Sequence, residues 1–391
     1  MLNDREFFEN IGIKSAVPER MLKGSLYEEP GDFIVNEVHK NFTCSIEPGR
    51  TRADTDINSP YIHATLVKRN ISTFEACSQF CMKNGLDYLN DINFCGLKDT
   101  LGVTSQLVCI RNSEHLKIKN SAFDDFFLKD FTGSDTKMEV GSHVGNRFII
   151  RARGIEENGV CEVASNFKSF VERGFPNFYG PQRFGVRQNN HFMGKHLLKE
   201  EYEKFLFEFL TFSRNECKEV SDVRKLIKDD FGSWDRCLKS LNAANGLQDE
   251  KYIISSLVDG KSLFESIKGM KLSNFFVHSY GSYLFNMALS DFLKKDWYDA
   301  ELEKIGKGSV LDGLSSDLYA EIMEKEGICI RDFDACKFKI EPHKRNTLFR
   351  VKDFSFNREN GDAIVEFALG KGEYASLVLC FLIDSDIRKL C

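Results

Sequence analysis

Strand-like runs occupy both ends of this chain and helical patterns fill its middle, and that order limits the folds open to it. Near the N-terminus, residues 32–38 follow a Pro30-Gly31 turn and residues 61–67 are rich in β-formers. Residues 94–110 read as two short strands joined by a loop. Between them Ser72-Thr73-Phe74-Glu75 has the spacing of a capping box, and Phe74, Cys77, Cys81 and Leu86 give a helical stripe that Gly85 can end. A further strand over 147–153 precedes a helix over 162–173 that closes at Gly174. After about Gly194 the texture changes. Residues 195–212 are charged and helical, and residues 274–295 and 315–325 continue in that pattern. From Thr347 strand pattern returns through 364–369, and a helix starting near Tyr374 ends the chain. This irregular alternation with short connections predicts an α+β fold rather than a βαβ array. A sheet domain interrupted by an inserted helical domain accommodates it: residues 1–189 form the first part, 190–343 the insert and 344–391 the return.

With 391 residues, 42% hydrophobic and 29% charged, the chain is long enough for two domains or one large one and has an ordinary globular composition. No stretch approaches the ~20 apolar residues of a membrane span, and Met1-Leu2-Asn3-Asp4-Arg5-Glu6 lacks a signal core. A cytoplasmic location is expected. The 12 cysteines include no Cys-x-x-Cys pair and the eight histidines no His-Glu-x-x-His, so buried free thiols are expected rather than zinc or disulfides. A net charge of −6 argues against indiscriminate polyanion binding but leaves room for a local basic patch.

Three segments carry more chemistry than their surroundings. The first is Gly96-Leu97-Lys98-Asp99, followed by Thr104-Ser105-Gln106. By itself it is ordinary turn chemistry, since glycine accepts positive φ and aspartate caps turns. The second is Gly145-Asn146-Arg147-Phe148, where Asn146 suits a base or ribose edge and Phe148 could stack on an unpaired base. The plain alternative is a core Phe148 and an Asn146 that closes a turn. The third runs from Pro176 through Asn177-Phe178-Tyr179-Gly180-Pro181-Gln182-Arg183-Phe184-Gly185 and can be neither helix nor central strand. It is an ordered loop in which Arg183 could clamp phosphate and Phe184 or Tyr179 could pack or stack on a base. Arg147, Arg151 and Arg153 share a strand face, and with Arg183 and Arg187 they make either a solvated face or a phosphate track. Gly306-Lys307-Gly308-Ser309 is too short for a phosphate loop, no Gly-x-Ser-x-Gly elbow occurs, and His191 and His196 read as surface or packing residues.

In this order the three segments resemble the TruD family of pseudouridine synthases. That family is marked by Gly-x-Lys-Asp with Thr-x-Gln, by Gly-Asn-x-Phe and by Asn-Tyr-Phe-Gly-x-Gln-Arg-Phe-Gly, whose aromatic pair is exchanged here. Weaker elements agree: Glu29-Pro30-Gly31-Asp32-Phe33-Ile34-Val35-Asn36-Glu37, Ser282-Tyr283-Leu284-Phe285-Asn286 and Gly372-Glu373-Tyr374-Ala375-Ser376. Departures fall at Tyr27, Phe292, Gly370, Cys380 and Phe381, and they bear on substrate identity more than on reaction class.

The resemblance implies a catalytic domain built on a mixed, largely antiparallel sheet, interrupted by a mainly helical TRUD-type insert. It implies isomerisation of a uridine to pseudouridine in tRNA, typically at position 13, with neither cofactor nor metal. Asp99 is the implied carboxylate acting at the ribose, as nucleophile or as base. Phe148 is expected against the uracil and Asn146 at an edge or the ribose. Lys98 is expected to help hold the charge of Asp99, while Gln106, Gln182, Arg183 and Phe184 are expected to shape the pocket or hold RNA, with Glu37 beside them. The expected partner is tRNA, bound by a monomer without membrane attachment. The alternative is an RNA-binding protein on the same fold that has lost catalysis.

Overall fold

The two strand-patterned ends of the chain join in one mixed sheet. The computed structural model describes residues 4–15, 22–49, 59–112, 118, 120–156, 160–244 and 246–384. Eight strands form the sheet: β1 (Phe33–Val38), β2 (Tyr61–Arg69), β3 (Ile92–Phe94), β4 (Val103–Arg111), β5 (Phe126–Ser134), β6 (Gly145–Ala152), β7 (Lys352–Glu359) and β8 (Asp362–Gly370). Their order is β7-β8-β6-β1-β4-β2-β5, with β3 also on β4. Only β1 and β4 run parallel; the other pairs are antiparallel. This is the α+β class with a largely antiparallel sheet.

Period two decides which face each residue serves. On β4, Val108 and Ile110 join Ile62, Ala64 and Leu66 of β2 under the helix Thr73–Asn84, which contributes Ala76, Cys77, Phe80 and Cys81. Leu107 and Cys109 point the other way and pack with Cys44, Cys95 and Met138. The thiols of Cys44, Cys77, Cys81, Cys95 and Cys109 are free and buried. Only half of the capping box forms: Ser72 Oγ accepts the Glu75 amide at 3.1 Å, while the Glu75 carboxylate turns to Gln79. Gly85 ends the helix in the left-handed conformation.

The chain divides into two compact units. One holds residues 20–174 and 350–386, and the other holds 1–19, 175–349 and 387–391. The insert is therefore wider than the 190–343 expected from sequence, and residues 4–15 belong with it. Its neck explains the shift, because Phe175–Pro176 pairs antiparallel with Leu348–Phe349 and so begins the unit's own hydrogen bonding there. The single helix expected over 195–212 is two, Asn190–Leu198 and Tyr202–Thr211, broken where Glu200 takes a φ of 56°. The last helix, Ala375–Cys380, does not end the described chain: Ile383–Asp384 follows and pairs in parallel with Leu22–Lys23.

Within the insert, Asn190–Leu198 lies close against the long helix Ser273–Lys295. A Cβ on Gly194 would sit 2.0 Å from the Phe276 carbonyl, so only glycine permits that approach. Asn286 of the long helix accepts the Tyr179 amide at 2.8 Å and donates to the Tyr179 and Ile11 carbonyls at 3.0 and 2.9 Å. The asparagine of the Ser282–Asn286 motif is thus a strut for the Asn177–Gly185 segment.

Candidate active site

The Asp99 loop bridges β3 and β4 and is pinned from beneath. Gln106 donates to the Gly96 carbonyl at 3.0 Å and accepts the Thr73 hydroxyl at 2.8 Å. The Thr73 hydroxyl oxygen also receives the Lys98 amide at 3.4 Å. At the far end Asn70 accepts the Gly102 amide at 2.9 Å and donates its own amide to the Gly102 carbonyl. Gly102 carries the positive φ of the loop, +99°, and a Cβ there would meet the Phe33 carbonyl at 2.4 Å. The left-handed position expected at Gly96 lies at Gly102 instead. Gln106 is wholly enclosed with both ends of its amide occupied, so it supports the loop rather than facing a ligand.

The loop's two charged side chains part company. Lys98 is buried and its Nζ lies 2.6 Å from Glu37 Oε2. Asp99 is half-buried between the exposed Leu97 and Thr100. Glu37 fills a gap in the sheet: β1 pairs with β4 only as far as Asn36 opposite Ser105, and β3 takes the same edge from Val108. In between, Glu37 Oε1 accepts the Leu107 amide at 3.0 Å and lies 2.9 Å from His39 Nε2. Burial works against the charge of Glu37, but His39, Lys98 and the Leu107 amide outweigh it and hold the carboxyl below its ordinary value.

A residue that the motifs did not single out completes the set. Lys68, near the end of β2, is buried and donates through Nζ to the Asp99 backbone carbonyl. Burial lowers its pKa to about 8, with the Asp99 charge opposing that fall and the Lys98 charge adding to it. Its sequence signal was available: Lys68 follows Ala64 and Leu66 at period two, on the face that packs under a helix. His143 packs beside Gly96, 3.3 Å from where a Cβ would stand, and burial followed by the Lys98 charge lowers its pKa.

Opposite Glu37 on β6 stands Asn146, whose Oδ1 is buried without a hydrogen-bond partner among the described residues. Phe148 is 5% exposed, its ring centroid 6.1 Å from Phe33 and 5.3 Å from Phe367. Among the described residues one grouping has metal-ligand composition, Glu37, His39 and Cys44. Both Glu37 oxygens already serve His39, Lys98 and Leu107, and burial pushes the Cys44 thiol up to about 12. That donor set reads as a hydrogen-bonded network rather than a metal centre.

The arginine track does not form. Arg147 pairs with Glu366 at 2.8 Å, Arg151 with Asp362 at 3.2 Å and Arg153 with Asp32 at 2.8 Å, so the strand's positive charge is locally neutralised. Arg187 donates to the Phe209 and Phe212 carbonyls at 2.8 and 3.0 Å inside the insert. Gln182, Arg183 and Phe184 lie on the turn Pro181–Phe184 of the insert, not in the unit that holds Asp99. Gln182 is exposed and Arg183 half-buried. Phe184 is fully enclosed, edge-on to His191 at 5.4 Å, and so packs rather than offering a face to a base.

A family model described as tRNA pseudouridine synthase D (TruD) matches residues 16–305 and 300–380 of this chain. The chain belongs to the TruD family. Among its relatives in that family, "Probable tRNA pseudouridine synthase D 1" of Methanococcus maripaludis is 28% identical over 395 residues, covering 89% of this chain and 96% of its own. A relative in Nanoarchaeum equitans, "Probable tRNA pseudouridine synthase D", is 29% identical over 382 residues, covering 90% and 96%. The fold is shared with a crystal structure of TruD from Methanosarcina mazei, with a TM-score of 0.73 at 22% identity over 96% of this chain and 97% of the other. Among the described residues no helix is long and apolar enough to cross a membrane.

Proposed function

We propose that this TruD-family chain isomerises a uridine of tRNA to pseudouridine, at position 13 by family resemblance, with Asp99 as the carboxylate that acts at the ribose. The reaction breaks the N1–C1′ bond, turns the uracil and joins C5 to C1′; C5 then loses its proton and N1 gains one. The observation that carries the reading is the split of the Lys98-Asp99 pair. Lys98 is drawn into the buried ion pair with Glu37, while Asp99 stays half-exposed on a loop fixed by Gln106, Thr73 and Asn70. A carboxylate so held is aimed before substrate arrives, which is what nucleophilic or basic action at one carbon requires.

The target base must leave its stack to reach Asp99. Asn146 Oδ1, buried and unpartnered, suits a donor on the uracil edge or the ribose. Phe148, expected against the uracil, is buried against Phe33 and Phe367 and so backs the strand that carries Asn146 rather than offering an open face. Lys68 acts as the positioning cation for Asp99. Gln182 and Arg183 are RNA contacts on the insert, and the enzyme works in the cytoplasm as a monomer.

The test is tritium release from unmodified tRNA labelled at uracil C5. Intact protein should release tritium and Asp99→Ala should not. Release that persists undiminished in the variant removes Asp99 from the chemistry, and no release by the intact protein removes the enzyme reading.

A further inference from the structure

The loop that carries Asp99 is bordered by apolar side chains left in water. Leu97 and Leu101 lie on the loop itself, and Phe42 and Phe74 stand on the segments that brace it. All four are between 48% and 59% exposed. Phe74 follows Thr73, whose hydroxyl oxygen receives the Lys98 amide, and its ring centroid lies 5.7 Å from that of Phe94, on the strand leading into the loop. By pattern Phe74 belongs to the helical stripe with Cys77 and Cys81, yet those two are enclosed and Phe74 is not. Phe42 is joined to the loop by a second route. Its ring stacks on His39 at 4.7 Å and 12°, His39 Nε2 lies 2.9 Å from Glu37 Oε1, and Glu37 Oε2 lies 2.6 Å from Lys98 Nζ.

Apolar residues exposed singly are ordinary, but four on one loop and its braces need a reason. Among the described residues the exposed phenylalanines are Phe42, Phe74, Phe192 and Phe207, and two of those four brace the Asp99 loop. Phe42 is also held in place. The His39 amide donates to the Phe42 carbonyl at 2.8 Å, and the Cys44 amide donates to the Glu37 carbonyl at 2.8 Å, which closes the turn that carries the ring. A side chain fixed in advance loses little freedom when a ligand covers it. Cations on the neighbouring strands and loop are already committed: Lys98 to Glu37, Lys68 to the Asp99 carbonyl and Arg147 to Glu366. Those cations are spent on the protein, whereas the exposed rings are available to a ligand.

We propose that Phe42 and Phe74 are stacking platforms for the unpaired bases that flank the target uridine, with Leu97 and Leu101 as the apolar edge of the same rim. This deepens the pseudouridine-synthase reading and rests on it for the identity of the ligand. When the target nucleotide leaves its stack, each neighbouring base loses a partner. An aromatic ring at the lip of the site replaces that partner, and the replacement lowers the cost of opening the RNA. Every base has a π-face, so such a platform selects a locally opened segment rather than a sequence. His39 serves this arrangement twice, backing the Phe42 ring and touching the carboxylate that holds Lys98.

The test is binding of unmodified tRNA, by fluorescence anisotropy, across a salt series. Phe42→Ala combined with Phe74→Ala should raise Kd roughly five- to thirtyfold. The slope of log Kd against log salt should stay as in the intact protein, because no charge is lost. Phe42→Tyr keeps a ring and should keep the intact Kd, and Phe207→Ala, on the insert, should keep it too. Abasic residues on both sides of the target uridine should weaken binding by the intact protein more than by the double variant. The platforms are overturned if the double variant keeps the intact Kd, if Phe42→Tyr loses as much as Phe42→Ala, or if Phe207→Ala matches the pair. Equal responses of intact protein and double variant to the abasic tRNA overturn them as well. So does a double variant that binds tRNA normally but changes its mass in sedimentation, which would make the rim a contact between copies of the chain. Circular dichroism and the melting temperature verify that each variant folds. Because the readout is binding, a protein that stacks RNA on this rim but releases no tritium would defeat the enzyme reading and leave the platforms standing.

Discussion

Lys98 Nζ lies 2.6 Å from Glu37 Oε2, with both side chains cut off from solvent, and this ion pair separates Lys98 from the neighbouring Asp99. The loop thereby presents one charged side chain outward. The buried pair is supported on its acid side, where Glu37 Oε1 accepts the Leu107 amide and lies beside His39.

Glu37→Gln leaves Lys98 buried without a counter-ion, and the expected loss is about 3–5 kcal/mol of stability. Chemical denaturation at neutral pH measures it. The double variant Glu37→Gln, Lys98→Met should recover much of that stability while tritium release stays low. Equal stability of the single and double variants would show that the pair does not carry this energy. The depressed pKa of Glu37 sets the sign with pH: its contribution is full above the ordinary value of 4.5 and is lost as pH falls below it.

Lys68 donates to the Asp99 backbone and has its pKa lowered to about 8. Its charge is present below that pH and lost as pH rises through it. Turnover of intact protein should therefore decline above about pH 8. Lys68→Met should lower kcat by about 10²-fold and abolish that alkaline limb. A merely structural role would lower activity equally at every pH, so an unchanged limb in the variant counts against the assignment.

Asn146 gives the opposite separation of stability from activity. Its Oδ1 is buried without an internal partner, so Asn146→Ala removes an unsatisfied group and should leave the melting temperature within a few degrees of intact protein. Tritium release should fall roughly tenfold or more, because a substrate donor loses its acceptor. A variant that melts early and turns over normally would mean that Asn146 serves the fold alone.

His191 makes the insert acid-sensitive. Its ring is enclosed, 4.0 Å from Phe192 and 4.7 Å from Tyr283, and burial followed by the Arg214 charge lowers its pKa to about 3 from 6.5. The unfolded chain takes up that proton first, so stability is full above about pH 6.5 and declines below it. From this group alone the loss is about 1.4 kcal/mol between about pH 8 and about pH 5.5. His191→Phe keeps the stacking and should flatten that part of the profile, as denaturant midpoints across the range will register.

Much of this was legible because local pattern and tertiary role coincide. Apolar alternation placed β1, β2, β4, β6 and β8, and the order of motifs placed the TruD family and pointed to Asp99 as the carboxylate proposed here. Where they diverge, residue type left two readings open and packing chose between them. Gln106 and Phe184 sit in motifs with the residue types of binding groups, yet both are enclosed and serve their own segments. Arg147 and Arg151 of β6 and Arg153 just after it alternate as a phosphate track would, but their neutralising acids come from Asp32 far upstream and from Asp362 and Glu366 far downstream.

By itself, then, the sequence determined the elements, the interrupted sheet and the acid on its loop, because these depend on periodicity and on short motifs read within a few residues. Only the tertiary structure decided the company that acid keeps. Glu37 and Lys68 reach the Asp99 loop through strand registers that join segments tens of positions apart, and Asn146 comes opposite Glu37 in the same way. Charge acts through space and is fixed by packing, so which lysine meets a carboxylate, as Lys98 does, and which a backbone carbonyl, as Lys68 does, becomes visible only once the strands are aligned.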